Sequence, residues 1–370
     1  MKKSIITLAL VLVVALLTGC AGTPVVYYSN CTCPTGAHTG TVEMPTEPIP
    51  ATTATTETAP TAEGAVKTGV AILASANESK SAGDADGEAK YDVTVVAITV
   101  DDNGVIQDCI IDSIGTSVLF DVKGSVVSDL TAPISTKNEL GENYGMKAYG
   151  GAKYEWNEQA AALADFAVGK TVEELKNGAV DETGHAADAD LATTATIYLG
   201  GYVFAIENAV ANAQHLGAQA GDELKLGIIP SVSSSKSADA ENEGLAQLDV
   251  DAVALTMRDG AITSAQIDSV QAKVTFDASG MLTGGHDLPA GPFQTKNQLG
   301  EQYGMVAWGG AIAEWNEQAA SFCAYITGKT PAEVAGISVD EGTKPADADL
   351  ATSVTIAIGG FQALIAKSCN

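Results

Sequence analysis

Positive charge is scarce in this chain. Lys and Arg number 19 against 46 Asp and Glu, giving a formal net charge of -27 and a pI near 4.2. Nucleic-acid binding needs clustered cations, so that class is excluded, and a polybasic hold on a membrane surface is excluded on the same ground. Aromatics are only 5% of residues. The four histidines, His38, His185, His215 and His286, fall at no metal-ligand spacing and read as surface residues. Catalytic signatures are missing too. Gly169-Lys170-Thr171 lacks the glycine of a phosphate loop five residues earlier, where Ala164 stands, and the copy at Gly328 has Cys323 there. No Gly-x-Ser-x-Gly elbow marks a hydrolase. Asp84-Ala85-Asp86-Gly87-Glu88 lacks the spacing and closing glutamate of a calcium loop and reads as a solvated turn.

What is present begins with a leader. Lys2 and Lys3 precede an apolar run over residues 5–17, too short to span a bilayer comfortably, followed by Leu17-Thr18-Gly19-Cys20. This resembles a bacterial lipoprotein signal, residues 1–19, and implies cleavage before Cys20 and lipidation there. The mature chain would then sit outside the cytoplasm, anchored to the membrane by lipid. Residues 20–66 are rich in Pro, Thr, Ala and Glu without apolar periodicity and read as a flexible tether. Cys31 and Cys33 lack the second pair that a zinc site needs. Cys109 has no evident mate, whereas Cys323 and Cys369 are candidates for a disulfide in an oxidising location.

Length argues for two domains, and the remaining sequence repeats itself over residues 67–221 and 222–370. Thr136-Lys137-Asn138-Glu139-Leu140-Gly141 returns as Thr295-Lys296-Asn297-Gln298-Leu299-Gly300, and Trp156-Asn157-Glu158-Gln159 returns as Trp315-Asn316-Glu317-Gln318. In each copy valine-rich segments flank a tight turn, at residues 101–104 and 258–260, predicting strand hairpins over 91–114 and up to 270. A further short strand is expected at 274–276. Trp156, Ala160, Leu163 and Ala167 recur at helical spacing and predict a helix over 153–168, stopped by Gly169. Capping boxes open short helices at Thr171 and Thr330, and a closing helix runs through Tyr202, Ile206 and Val210. The expected class is α+β, two tandem repeats, each an antiparallel sheet with packed helices. Trp156 and Trp315 fall on the apolar helix face and read as core. Tyr144 and Tyr303, in glycine-flanked loops, either stack a flat ligand or anchor their loops.

The second half of each copy carries Asp190-Leu191-Ala192-Thr193-Thr194-Ala195-Thr196 and Asp349-Leu350-Ala351-Thr352-Ser353-Val354-Thr355. Element order and this motif resemble the FMN-binding domain of flavin-bearing respiratory subunits and flavin-carrying surface lipoproteins. That family shows Asp-x-x-Ser/Thr-Gly-Ala-Thr before its last helix. Thr194 and Ser353 stand here in place of the glycine, and Val354 in place of the alanine. The resemblance implies FMN joined by a phosphoester to Thr196 and Thr355 by a flavin transferase, with Thr193 and Thr352 in the same turn. It implies that Asp190 and Asp349 orient the acceptors or cap the turn, and that Leu140-Gly141 and Leu299-Gly300 are the flavin-facing loops. A helix N-terminus following the threonine would favour the phosphate. The implied role is electron relay outside the membrane between a redox donor and acceptor, not catalysis on a substrate. The competing expectation is a cofactor-free surface lipoprotein used for binding or envelope organisation.

Overall fold

The computed structural model describes residues 64–287 and 292–369. The signal segment, Cys20, nearly all of the tether, Cys31, Cys33 and His38 lie outside the described residues. The class is α+β, with two antiparallel sheets and helices packed on them. The first sheet is ordered β1 (Lys67–Ser75), β2 (Gly87–Val100), β3 (Ile106–Phe120). The second is ordered β4 (Glu223–Ser231), β5 (Gly244–Arg258), β6 (Ala261–Phe276), β7 (Leu282–Gly284).

Both expected hairpin turns form. Asp101 Oδ1 accepts the Asn103 and Val105 amides, and Gly104 takes φ 78°. In the second sheet Asp259 and Gly260 take φ 52° and 80°. The separate strand expected at residues 274–276 does not exist. Ala272, Val274 and Phe276 continue the alternation of β6 into the core, so one long strand runs through them. The edge strands β1 and β4 were not among the expected elements.

Side-chain alternation explains the layers. From β2, Tyr91, Val93, Val95 and Ala97 point to one side, where they meet Leu248, Val250, Ala252 and Ala254 of β5. From the other side of β2, Val96, Ile98 and Val100 meet helices. From β5, Val253 and Leu255 meet a second set of helices. The order of layers is therefore helices, sheet, sheet, helices. The inner core is closed at one end by Phe120 and Phe276, stacked with ring centroids 4.0 Å apart and 4° between planes. Polar groups also join the two sheets. The Tyr91 hydroxyl donates to Ala246 O at 2.8 Å, and the Val70 amide donates to Gln266 Oε1 at 2.6 Å. Gln266 Nε2 donates in turn to Asn212 O at 2.9 Å.

In the first half the helices are α1 (Lys137–Leu140), α2 (Met146–Gly150), α3 (Trp156–Ala167), α4 (Val172–Gly178), α5 (Ala189–Thr194) and α6 (Gly200–Asn212). In the second they are α7 (Lys296–Leu299), α8 (Met305–Gly309), α9 (Trp315–Ile326), α10 (Pro331–Ala335) and α11 (Gly359–Ser368). Helix α3 begins at Trp156 rather than 153, because Glu155 and Glu158 form a capping box there. Trp156, Ala160, Leu163 and Ala167 are all buried. The boxes at Thr171 and Thr330 form as expected. Helix α6 lies directly on β1, since a Cβ on Gly69 would fall 2.2 Å from Ala209 O.

Because the inner core belongs to both sheets, its loss should be felt by both halves together. Phe120→Ala should lower the unfolding free energy by about 3–5 kcal/mol. In urea titrations, tryptophan emission (from residues that include Trp156 and Trp315) and far-UV circular dichroism should still report one coincident transition.

Candidate functional site

Helix α5 is set by its first residues. Asp188 Oδ1 accepts the amides of Asp190 and Leu191 at 2.9 and 3.0 Å, an N-cap. Asp347 does the same for Asp349 and Leu350 at 3.1 and 3.0 Å. Capping therefore falls to Asp188 and Asp347 rather than to Asp190 and Asp349, which are exposed residues of the turn. The hydroxyls of Thr193 and Thr352 donate to the carbonyls of Asp190 and Asp349, both at 2.7 Å, and are spent on closing the turn.

Thr196 is exposed and Thr355 half-exposed. Each is held by one buried glutamine. Gln159 Oε1 accepts the Thr196 amide at 2.7 Å, the Thr196 hydroxyl at 3.2 Å and the Ile197 amide at 3.1 Å. Gln318 Oε1 accepts the Thr355 amide at 2.8 Å, its hydroxyl at 3.2 Å and the Ile356 amide at 3.2 Å. The other end of Gln159 donates to Tyr154 O at 3.0 Å and reaches Met146 Sδ at 3.9 Å. Gln318 donates to Ala313 O at 2.8 Å. The repeated Trp-Asn-Glu-Gln carried the signal of these glutamines, but spacing alone assigns them no role.

The helix after Thr196 starts later than the resemblance implied. Ile197, Tyr198 and Leu199 intervene, and the Leu199 and Gly200 amides already donate to Gly184 O at 2.7 and 3.1 Å. Those two amides are not free to hold a phosphate. The glycine missing from the motif, by contrast, has no backbone consequence. Among the described residues only Asp259 and Thr343 combine a side chain with positive φ, so Thr194 and Ser353 sit without that strain.

The Leu140-Gly141 and Leu299-Gly300 loops are anchored from below. Thr136 and Thr295 cap α1 and α7 in capping boxes. Gly141 and Gly300 then turn the chain with φ 49° and 48° and ψ -121° and -123°, a conformation suited to glycine. A buried aspartate ties each loop to its sheet. Asp112 Oδ1 accepts the Ser113 and Asn138 amides at 2.7 and 3.0 Å, and Asp268 Oδ1 accepts those of Ser269 and Asn297 at 2.7 and 3.1 Å. Burial pushes both carboxyls up, that of Asp268 to about 6. Two more buried acids, Glu155 and Glu314, accept the first amides of α2 and α8 at 2.8 to 3.0 Å.

Tyr144 and Tyr303 have a visible partner. Lys137 Nζ lies 5.2 Å from the Tyr144 ring and 5.1 Å from that of Trp156, and Lys296 Nζ lies 5.3 and 4.7 Å from Tyr303 and Trp315. Each tyrosine thus helps to hold a cation against a buried tryptophan. Lys137 also lines a cavity of about 330 Å³ with Gly201, Tyr202 and Phe204. A larger cavity, about 730 Å³, is lined by Asn316, Ala320, Cys323 and Thr327, which helical spacing puts on the side of α9 away from Gln318.

No group of three or more His, Cys, Asp or Glu is placed to hold a metal among the described residues. Cys323 and Cys369 are both free, so the candidate disulfide does not form. Burial pushes the Cys323 thiol up to about 12, and Cys369 Sγ packs against Met257 Sδ at 3.6 Å. No helix among the described residues is long and apolar enough to cross a membrane. No family model, curated protein or solved structure matches the chain.

Gln159→Leu should leave the Thr196 and Ile197 amides without their acceptor and cost about 1–3 kcal/mol, read by chemical denaturation. Asp268 carries a pH signature. Its carboxyl is raised in the folded state from the ordinary 3.8 to about 6, so its contribution is fully present below the lower value and lost as pH rises through the upper one. Relative to Asp268→Asn, the native protein should lose about 2–3 kcal/mol between those two pH values and nothing further above them.

Proposed function

We propose that this protein is a lipid-anchored, extracytosolic electron carrier built from two tandem FMN-binding-like copies, with FMN carried covalently on Thr196 and Thr355. The observation that supports this reading most is that each half offers a solvent-accessible threonine whose hydroxyl is tied to a buried glutamine. A turn that only connected two helices would need acceptors for its amides, but no fixed hydroxyl at the surface. Because Gln159 Oε1 and Gln318 Oε1 take the hydroxyl proton's hydrogen bond, an oxygen lone pair of each threonine is left for an incoming phosphorus. The threonine oxygen displaces AMP from FAD on the transferase. An Oγ–P bond forms, the pyrophosphate P–O bond breaks, and the hydroxyl proton leaves to solvent. The attached flavin would supply one- and two-electron transfer.

Other residues fit the same group. Lys137 and Lys296 place a positive charge beside each loop in a chain otherwise strongly acidic. The chain's -27 charge keeps a crowded surface protein soluble and would repel polyanionic partners. Cleavage before Cys20 and lipidation there would hold both copies at the membrane on the 20–66 tether.

The experiment is production of the mature protein in cells that also make a flavin transferase. Denatured protein should show flavin fluorescence in a gel. Thr196→Ala and Thr355→Ala should each remove the mass of one FMN, and the double variant should be colourless. A colourless wild-type protein would leave the cofactor-free surface lipoprotein as the reading, and flavin on the double variant would move the attachment elsewhere.

A further inference from the structure

Two aromatic rings stand out in a chain that has few. Tyr149 is 93% exposed and Trp308 is 90% exposed, although large aromatic side chains usually gain by burial. Isolated exposed apolar residues are ordinary on protein surfaces. These two differ in being mounted in the same way in both halves. Tyr149 lies on α2 and Trp308 on α8, one helical turn beyond Gly145 and Gly304. Their amides donate to the carbonyls of those glycines, both at 2.9 Å.

One edge of each ring also lies close to its glycine. A Cβ on Gly145 would fall 2.6 Å from Tyr149 Cδ2, and one on Gly304 would fall 2.3 Å from Trp308 Cδ1. Both glycines have positive φ, 83° and 81°, which disfavours any side chain there. Glu155 and Glu314 clamp the other end of each mount through the first amides of α2 and α8. Each ring is therefore carried almost wholly in solvent by a short, anchored turn that only a glycine at its start leaves room for.

The mount is next to the candidate acceptor. Gln159 binds the Thr196 hydroxyl with its oxygen and reaches Met146 Sδ with its nitrogen, and Met146 begins the helix that carries Tyr149. In the first half one glutamine side chain thus touches both the acceptor threonine and the first residue of the turn that carries the ring, and in the second Gln318 holds Thr355 in the same way.

We propose that Tyr149 and Trp308 are the stacking platforms for the isoalloxazine rings attached to Thr196 and Thr355, each serving the flavin of its own half. This rests on the attachment proposed above. The electron-poor ring system of a flavin pairs well with the electron-rich face of a phenol or an indole. The platform positions the flavin without touching the attachment chemistry. Trp308, the better donor, should quench its flavin more deeply than Tyr149 quenches the other.

The test uses full-length protein made with a flavin transferase, in two backgrounds with one acceptor each. Thr355→Val isolates the first site and Thr196→Val the second. Flavin mass is read on denatured protein, and flavin emission is compared before and after unfolding. Native emission should be several-fold below the unfolded value. Tyr149→Leu in the first background and Trp308→Leu in the second should raise native emission several-fold toward the unfolded level, with the flavin mass still present. Tyr149→Phe and Trp308→Phe, which keep a stacking ring of poorer donor strength, should restore the visible circular dichroism of the bound flavin but not the full quenching. Flavin mass with quenching and dichroism unchanged in the Leu variants would overturn the platform role and leave attachment standing. Absence of flavin mass from the parent proteins would overturn attachment, and the platform role with it.

Discussion

The inner core between the two sheets is the constraint on which the rest of this molecule depends. Neither sheet has a helix layer on that side, so the valines and alanines of β2 and β5 can leave water only by facing each other. Phe120 and Phe276 close the end of the core as a stacked pair, and Gln266 satisfies the Val70 amide at its margin. Each sheet then supports its own helices on its outer side. The helices of either half therefore stand on a platform completed by the other half.

The candidate sites hang from that platform through buried polar side chains rather than through apolar packing alone. Asp112 and Asp268 join the glycine loops to β3 and β6. Glu155 and Glu314 hold the turns that carry the exposed rings, and Gln159 and Gln318 hold the threonines. Each of these groups is buried and accepts hydrogen bonds from backbone amides. The cost of burying a carboxylate is visible in Asp268, whose carboxyl is raised to about 6 despite its hydrogen bonds. A buried polar side chain with directional bonds defines position more sharply than an aliphatic contact does. That suits a surface site whose groups must stay put without a deep pocket around them.

The two halves are alike in these anchors and differ in what surrounds them. Trp156 donates to the Tyr202 hydroxyl at 3.0 Å, whereas Trp315 meets Phe361 edge-on and has no such acceptor there. The first half exposes a phenol where the second exposes an indole. Such differences leave the backbone anchors intact while changing the chemistry offered to a ligand, so the halves need not be equivalent in function.

The sequence by itself determined the periodic elements. Alternating β-branched residues gave the hairpins, the Trp156–Ala167 face gave its helix, and Thr171 and Thr330 gave capped helix starts, because each depends on neighbours a few residues away. It also determined the acidity and the repeated motifs. Only the tertiary structure decided the edge strands β1 and β4, the fusion of residues 274–276 into β6 and the shared core, since these depend on partners far along the chain. The same holds for the site. The threonines were legible as a motif, but the oxygen that holds Thr196 lies on Gln159, 37 residues away, and spacing within a turn carries no trace of it. Tyr149 and Trp308 carried no signal in the sequence, and only the fold shows both rings held out in solvent on matching turns.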